Sequence, residues 1–484
     1  MYDAVVIGAG HNGLAAGAIL ARAGWKVLML ESQAEPGGAV RTAEVTLPGF
    51  RHDLYATNLN GFAASAFRRD FHDELEAHGL AFAHATKAYC SVFPDGDALG
   101  VSMSLEETFG ALRRLSAHDA QAWRALTERF ERVGPLLRSL LRQPMPSWAL
   151  ARALHLAPLA LQSQRGFVAR HFEHPKVQAL WAAWGMHLDF APEIAGGGLF
   201  GFIQCMSSQA NGLHFGKGGA ASMIGAMAGV FRAHGGELRC SSPATEIIVE
   251  NGTASGVAAG GERIGARRAV IANLAPAPLA KLVRIERLRH FRHGPGTMMI
   301  HLALADLPDW RAPGARQFAY VHIAPSLQAM SKAYREALRG VLPEEPVLVV
   351  AQPTLADPSR APHGRHVLSI QVRVVPQAMD KEAYADRIIE LVERYAPGLR
   401  SRILGRCVLS PADLERANPN LVGGDSLGGS HHLDQQYFLR PFLGWSRYRT
   451  PVERLYLCGA STWPGAGTGA GSGWLLGRML AEVA

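Results

Sequence analysis

"YDAVVIGAGHNGLAAGAILARAGWKVLMLES", residues 2–32, decides the fold. An apolar β-branched run is followed by Gly8-x-Gly10-x-x-Gly13, then an alanine-rich helical stretch, then a second apolar run that ends in Glu31. This order predicts a parallel βαβ unit. Gly8 permits the tight turn, Gly10 lets the backbone approach a pyrophosphate, and Gly13 lets the helix pack closely on the strand. The helix start at His11 and Asn12 offers free N–H groups to an anion. Glu31 is placed to accept hydrogen bonds from ribose hydroxyls, with Ser32 beside it. The stretch therefore predicts an adenine dinucleotide and leaves open whether it is a nicotinamide that comes and goes or a flavin that stays.

Working outward, the chain of 484 residues is too long for one core, and two or more domains are expected. With 48% hydrophobic and 19% charged residues, the balance is that of a globular protein, not a disordered one. The net charge of +8 comes without a block of like charges or interleaved aromatics, so nucleic acid is not expected as a partner. The five cysteines (Cys90, Cys205, Cys240, Cys407 and Cys458) are scattered, with no CxxC. That pattern predicts reduced thiols, no metal site and a cytoplasmic setting. A strand beginning at Tyr2 leaves no room for a cleavable signal peptide. The uncharged stretches Ile194–Gly216 and Leu455–Gly477 are too rich in glycine and serine to read as membrane spans.

Residues 62–190 read as helical, with Pro135, Pro144, Pro146, Pro158 and Pro175 expected to divide the region into short helices. Beyond "GLHFGKGG" a helix is expected over Ala220–His234, then strands with a hairpin turning at Asn251-Gly252. The chain closes with strand, glycine-rich turn and helix, "RLYLCGASTWPGAGTGAGSGWLLGRMLAEV". Residues 455–477 carry no charge, and bare glycines before a helix gather N–H groups and a helix dipole at one point. Such a point suits the pyrimidine edge of an isoalloxazine. The plainer alternative is a glycine tail that merely packs closely. "EPGGAVRT", directly after the ribose acid, supplies a second glycine pair, Gly37 and Gly38. Arg41 either approaches the cofactor or is solvated.

Together, "VVIGAGHNGL", "PGGAVRT", "GGDSLGGSHHLDQQYFLRP" and "YRTPVERLYLCGASTWPGAGTGAGSG" resemble the phytoene desaturase-like flavoproteins of the amine oxidase superfamily. The likeness is strongest to the branch of the pyridine nucleotide-disulphide oxidoreductase domain proteins. The resemblance implies an α/β fold: a discontinuous, glutathione-reductase-like FAD-binding domain of Rossmann type with an inserted α+β substrate domain. The expected division is 1–90, 205–285 and 430–484 for FAD, and 91–204 with 286–429 for substrate. One non-covalent FAD is implied, on Gly8, Gly10, His11, Asn12, Gly13, Glu31, Ser32, Gly37, Gly38, Arg41 and Thr42. Ala244 is expected beside the adenine, and Gly459, Ala460, Gly467, Thr468, Gly469 and Ala470 around the flavin. No second nucleotide fingerprint is present, so NAD(P)H is not expected to bind stably.

The chain departs from the pattern in three places. Ala460 stands where many relatives carry an acid. "Trp463-Pro464-Gly465-Ala466-Gly467" replaces "HPGGG", which predicts that Trp463 narrows the pocket above the flavin. Met298, Met299 and His301 stand where oxygen-activating relatives carry a lysine. His431 and His432 lead the catalytic candidates because they precede "LDQQYFLRP", with His214 next. Hydride transfer from an activated carbon also works with no protein acid or base. The expected activity is dehydrogenation of a hydrophobic small molecule, C–C desaturation before amine oxidation, with electrons passed to oxygen or quinone. Redox-neutral polyene isomerisation and a non-catalytic FAD-binding role are the other readings. The arginine-rich, apolar segment around residues 131–172 fits either a peripheral membrane contact or a core-facing helix with a solvated face.

Overall fold

The computed structural model describes residues 1–482. The opening strand Tyr2–Ile7 is buried along almost its whole length, as a strand covered on both faces must be. It pairs in parallel with Val27–Leu30 on one side and with the long strand Glu262–Ala272 on the other. The parallel sheet is completed by Glu237–Arg239 beside Val27–Leu30 and by Leu455–Leu457 beside Glu262–Ala272. The N-terminal half of Glu262–Ala272 continues into an antiparallel meander with Thr253–Ala259 and Ala244–Glu250. Asn251 and Gly252 turn that hairpin with φ of 50° and 80°, the double positive pair of a type I′ turn.

Helix His11–Arg22 lies between this sheet and the C-terminal helix Gly471–Glu482, and its small residues make that possible. Gly477 sits directly on Ala16 and Ile19, and a Cβ on Gly17 would press on Met29 and Phe231. Strands from both ends of the chain and from its middle thus build one sheet, the discontinuous Rossmann-like domain.

A second sheet of seven strands is mostly antiparallel. Its order is Ile403–Leu409, Gly296–Leu304, His366–Val375, Val347–Ala351, Tyr320–Ile323, Lys87–Val92 and Ala98–Ser102. Helices between Leu105 and Asn211 cover one side of it. Two expected divisions fall inside elements. Strand Lys87–Val92 runs through residue 90 and belongs wholly to the second sheet, and helix Gly197–Asn211 runs through residue 205.

Pro135 breaks nothing. Helix Ala117–Leu141 continues through it because the residue is exposed, as is Glu131 one turn earlier. The carbonyl that loses its partner therefore faces water, and the usual cost of an interior proline is reduced.

Candidate functional site

The register of the parallel sheet places the site. Ile7, Leu30, Ala272 and Leu457 lie level with one another across four strands. The residues immediately after them in the chain, Gly8, Glu31, Asn273 and Cys458-Gly459, emerge at one carboxyl edge, where ligands of such sheets bind. Gly8 has φ of 96°. A Cβ on Gly13 would overlap the Gly8 carbonyl, so the turn and the helix start admit no side chain there. Asn273 Nδ2 donates to the Gly8 carbonyl at 3.1 Å and its backbone N–H donates to Ile7, locking the turn from the neighbouring strand. The next helix, His11–Arg22, has Gly10 at its cap, no side chain bonded to its free N–H groups and no acid in its first turn. Such a terminus is open to an anion.

Glu31 is buried and its carboxylate is already engaged. Oε2 accepts from the Ala9 N–H at 2.8 Å, and Oε1 from the Gln33 N–H at 2.9 Å and Ser32 Oγ at 3.2 Å. It therefore shapes the glycine turn itself. Gly37 joins the same edge, its N–H donating to the Ala9 carbonyl, and Gly38 lies against Gly10. Ser242 N–H donates to the Glu31 carbonyl, which brings the start of strand Ala244–Glu250 alongside. Arg41 is half-buried, and its carbonyl receives the Leu54 N–H. Thr42, expected at the cofactor, has its hydroxyl bonded instead to Asp53 at 2.7 Å and to the Ala221 N–H. The short pairing of Thr42–Ala43 with His52–Asp53 draws it there.

The glycine-rich tail closes over this edge. Gly459, Gly465 and Gly467 all have positive φ, and Ala470 comes after them at 54°. Gly459 N–H donates to Ser472 Oγ, Gly473 N–H donates to Asn12 Oδ1 at 3.2 Å, and the Ala460 carbonyl receives Arg440. His11 Nε2 meets the Gly467 carbonyl at 3.1 Å; burial pushes this imidazole down to about 4, so it is neutral at pH 7. Thr468 and Gly469 rest on Gly61.

A cavity of about 870 Å³ runs from the glycine-rich tail and Asn12 to the second sheet. Asn12, Gly61 and Pro464–Gly469 line one end; Thr297, Met299, Gln371 and Arg373 line the other; Phe130, Leu137, Trp184 and Ile203 form an apolar wall. His214 lines it too, as expected, with its ring on Asn60 Oδ1 at 3.2 Å and stacked on His84. Burial first, then the neighbouring His84 and Arg68, hold His214 at about 4.

The leading histidines are turned elsewhere. His431 is buried against the Leu427 carbonyl and Gln436, and His432 bonds to the Asp189 carbonyl at 2.9 Å. Neither lines the cavity. Trp463 does not narrow it either: the indole points into the core, donating to the Gln143 carbonyl at 2.9 Å, while the residues after it face the cavity. Proximity in sequence to the glycine tail sets where the backbone runs, not where a side chain points.

Comparison with known proteins agrees with this geometry. The family described as NAD(P)-binding Rossmann-like domain matches residues 6–75. The chain is 27% identical to the rat pyridine nucleotide-disulfide oxidoreductase domain-containing protein 2, over 98% of this chain and 92% of that one. It is also 27% identical to a neurosporene-forming phytoene desaturase of Cereibacter sphaeroides, over 96% and 91%. The chain is a homologue of the phytoene desaturases. It is thus an oxidoreductase. A solved structure of putrescine oxidase bound to putrescine has the same fold, with a TM-score of 0.62 and 16% identity over 100% of this chain and 98% of that one.

Two residues of this homologue's site carry no signal in its sequence strong enough to mark them. Asn273 follows directly on the strand Glu262–Ala272 and is visible in the sequence only as the residue after its end. Arg373 reaches the cavity because Thr297 and Arg373 pair across two strands of the second sheet. No local motif marks either.

Proposed function

We propose that the chain is an FAD-dependent dehydrogenase that desaturates a C–C bond of an apolar small molecule. The observation that carries this is a cavity that joins the glycine-rich tail and Asn12, at the uncapped start of helix His11–Arg22, to a largely apolar chamber. A Cβ at Gly8 would press on Asn273, and the side-chain-free backbone from Gly8 to Gly13 suits a pyrophosphate. Gly8, Gly10, His11, Asn12, Gly13 and Glu31 would hold the ADP half, and Gly459–Ala470 the flavin. FAD, when bound, would supply a two-electron acceptor for a hydride from one C–H bond while the neighbouring carbon loses a proton as the double bond forms, the electrons then leaving to oxygen or a quinone. The chain's part is to bind, orient and keep water out. The proton lost from the neighbouring carbon would pass to His214, which lines the cavity and whose imidazole is held neutral and so free to accept it. No Asp or Glu lines the cavity among the described residues, so a cationic amine finds no counter-charge there.

The outer wall supports a contact with anionic membranes. Between Glu131 and Glu173 the chain has six arginines and no acid. Trp148 is 87% exposed, and Leu141, Leu154 and Leu161 are exposed in the same segment. Leu137, Arg138, Leu141 and Arg142 of helix Ala117–Leu141 and its cap also line the cavity, so an apolar substrate would pass directly from bilayer to chamber. No helix among the described residues is long and apolar enough to cross a membrane.

The test is spectroscopic. Purified protein should be yellow, release FAD on heating, and bleach without oxygen when mixed with a desaturable apolar substrate. A colourless protein that does not take up FAD refutes the proposal. Bleaching only by amines would shift the reaction to C–N oxidation. Sedimentation with phosphatidylglycerol vesicles should fall severalfold in Trp148→Ala.

A further inference from the structure

The second sheet presents a buried cation to the cavity. Arg373 is 6% exposed, yet lines the chamber together with Thr297, Gln371 and Ser426. A guanidinium has five N–H donors. Nε donates to the Met186 carbonyl at 3.4 Å, Nη1 to Ser426 Oγ at 3.3 Å and Nη2 to the His187 carbonyl at 2.9 Å. One N–H on each terminal nitrogen is left over.

The other buried arginines are held differently. Arg360 is paired with Asp53 and Asp357. Arg440 spends its terminal nitrogens on the carbonyls of Gly428, Ser430, Gln435 and Ala460 and does not face the cavity. Arg373 has neither an ion pair nor a full set of carbonyls. The two nearest buried acids are committed elsewhere: Asp425 accepts the N–H groups of Gly294, Leu427 and Gly429, and Asp189 accepts Tyr334 and Ser430. Burial lowers the Arg373 pKa to about 10, which still leaves it charged at neutral pH. Asp425 and Asp189 favour the charged form without pairing with it, and a buried cation with no ion pair is costly, so an anionic ligand would relieve that cost. Arg68, Arg138 and Arg142 line the same cavity, and among the described residues no acid lines it, so the charged side chains in the lining are all cations.

We infer that Arg373 receives an anionic oxygen group, a carboxylate or a phosphate, at one end of an otherwise apolar substrate. The two leftover N–H groups suit the fork geometry of either anion. The inference rests on the dehydrogenase reading and names its substrate class: an apolar body with an acidic terminus, in place of a plain hydrocarbon or an amine.

The test uses the flavin-loaded protein and four probes of one chain length: dodecanoate, dodecyl phosphate, dodecan-1-ol and dodecylamine. Binding is measured by calorimetry, and flavin content is measured separately. Dodecanoate or dodecyl phosphate should bind at least tenfold more tightly than dodecan-1-ol, with dodecylamine weakest; the tighter anion identifies the head group. Arg373→Met should abolish the preference while keeping its flavin, and Arg373→Lys should keep part of it. Should Arg373→Met fail to fold, the wild-type preference and Arg373→Lys decide. Equal binding of acid and alcohol by the wild type overturns the inference. So does a preference lost in Arg138→Gln/Arg142→Gln and retained in Arg373→Met, which would put the anion at the mouth. A colourless protein defeats the dehydrogenase reading instead, whatever the probes do.

Discussion

Glu31→Gln separates a carboxylate that merely waits for a ribose from one that also builds the turn. In the structure both oxygens are occupied by N–H groups, from Ala9 at 2.8 Å and Gln33 at 2.9 Å, with Ser32 Oγ also on Oε1. Glutamine can serve one of these N–H groups through its oxygen, but its NH2 then opposes the other. Hydrogen bonds to a charged group contribute about 1.5–3 kcal/mol each, and a buried donor left unsatisfied costs about 1–3 kcal/mol. The change should therefore cost about 2–3 kcal/mol before any cofactor is added, a large share of a typical stability of about 5–15 kcal/mol. The assay is urea unfolding of FAD-free protein by circular dichroism, alongside flavin content of the protein as purified. We expect a lower unfolding midpoint and weaker flavin retention together. An unchanged midpoint with lost flavin would mean that the carboxylate serves the ligand alone. An unchanged midpoint with full flavin occupancy would refute both its ribose and its turn roles.

Three other substitutions test the frame around it. Gly13→Ala sets a methyl group against the Gly8 carbonyl and Asn273, so flavin retention should fall more than tenfold, read from the 450 nm absorbance per chain. Arg360→Met strands the buried carboxylates of Asp53 and Asp357 and should cost about 3–5 kcal/mol in urea unfolding; a loss under about 1 kcal/mol would show that the network is solvated. Asp425 is fully buried: burial pushes its pKa up, but His293 and the amides of Gly294 and Leu427 outweigh that and hold it below the ordinary value. Its contribution is thus present above the unfolded value of about 3.9 and is lost as pH falls through the folded value, so Asp425→Asn should flatten the acid limb of a stability–pH curve.

Much of the nucleotide edge was legible because its contacts are local. Strand, turn and helix from Tyr2 to Arg22 are consecutive, Gly8 is required by its own positive φ, and Gly13 is required by the Gly8 carbonyl five residues earlier. The hairpin at Asn251-Gly252 was legible for the same reason. Pro135 misled because its cost depends on which face of the helix is wet, which spacing alone does not tell. His431, His432 and Trp463 misled because their directions are set by Gln436, Asp189 and Gln143, partners that the folded chain supplies. Asn273 and Arg373 were overlooked because strand pairing between distant segments brings them in.

The two ends of the cavity ask different things of a ligand. At the nucleotide edge the positive potential is made of backbone N–H groups and helix starts, which no substitution short of a misplaced side chain can remove. At the second sheet it is made of one guanidinium, which a single substitution removes without touching the turn. Between them the wall includes the apolar side chains of Phe130, Leu137, Trp184 and Ile203. On the proposed reading, cofactor retention and substrate selection depend on separate elements, and variants should divide accordingly: changes at Gly8–Gly13 or Glu31 should lose flavin without altering which probe is preferred by the flavin-loaded fraction. Changes at Arg373 should alter the preference in protein that stays yellow. A chain in which the two properties always failed together would have one binding unit, not two.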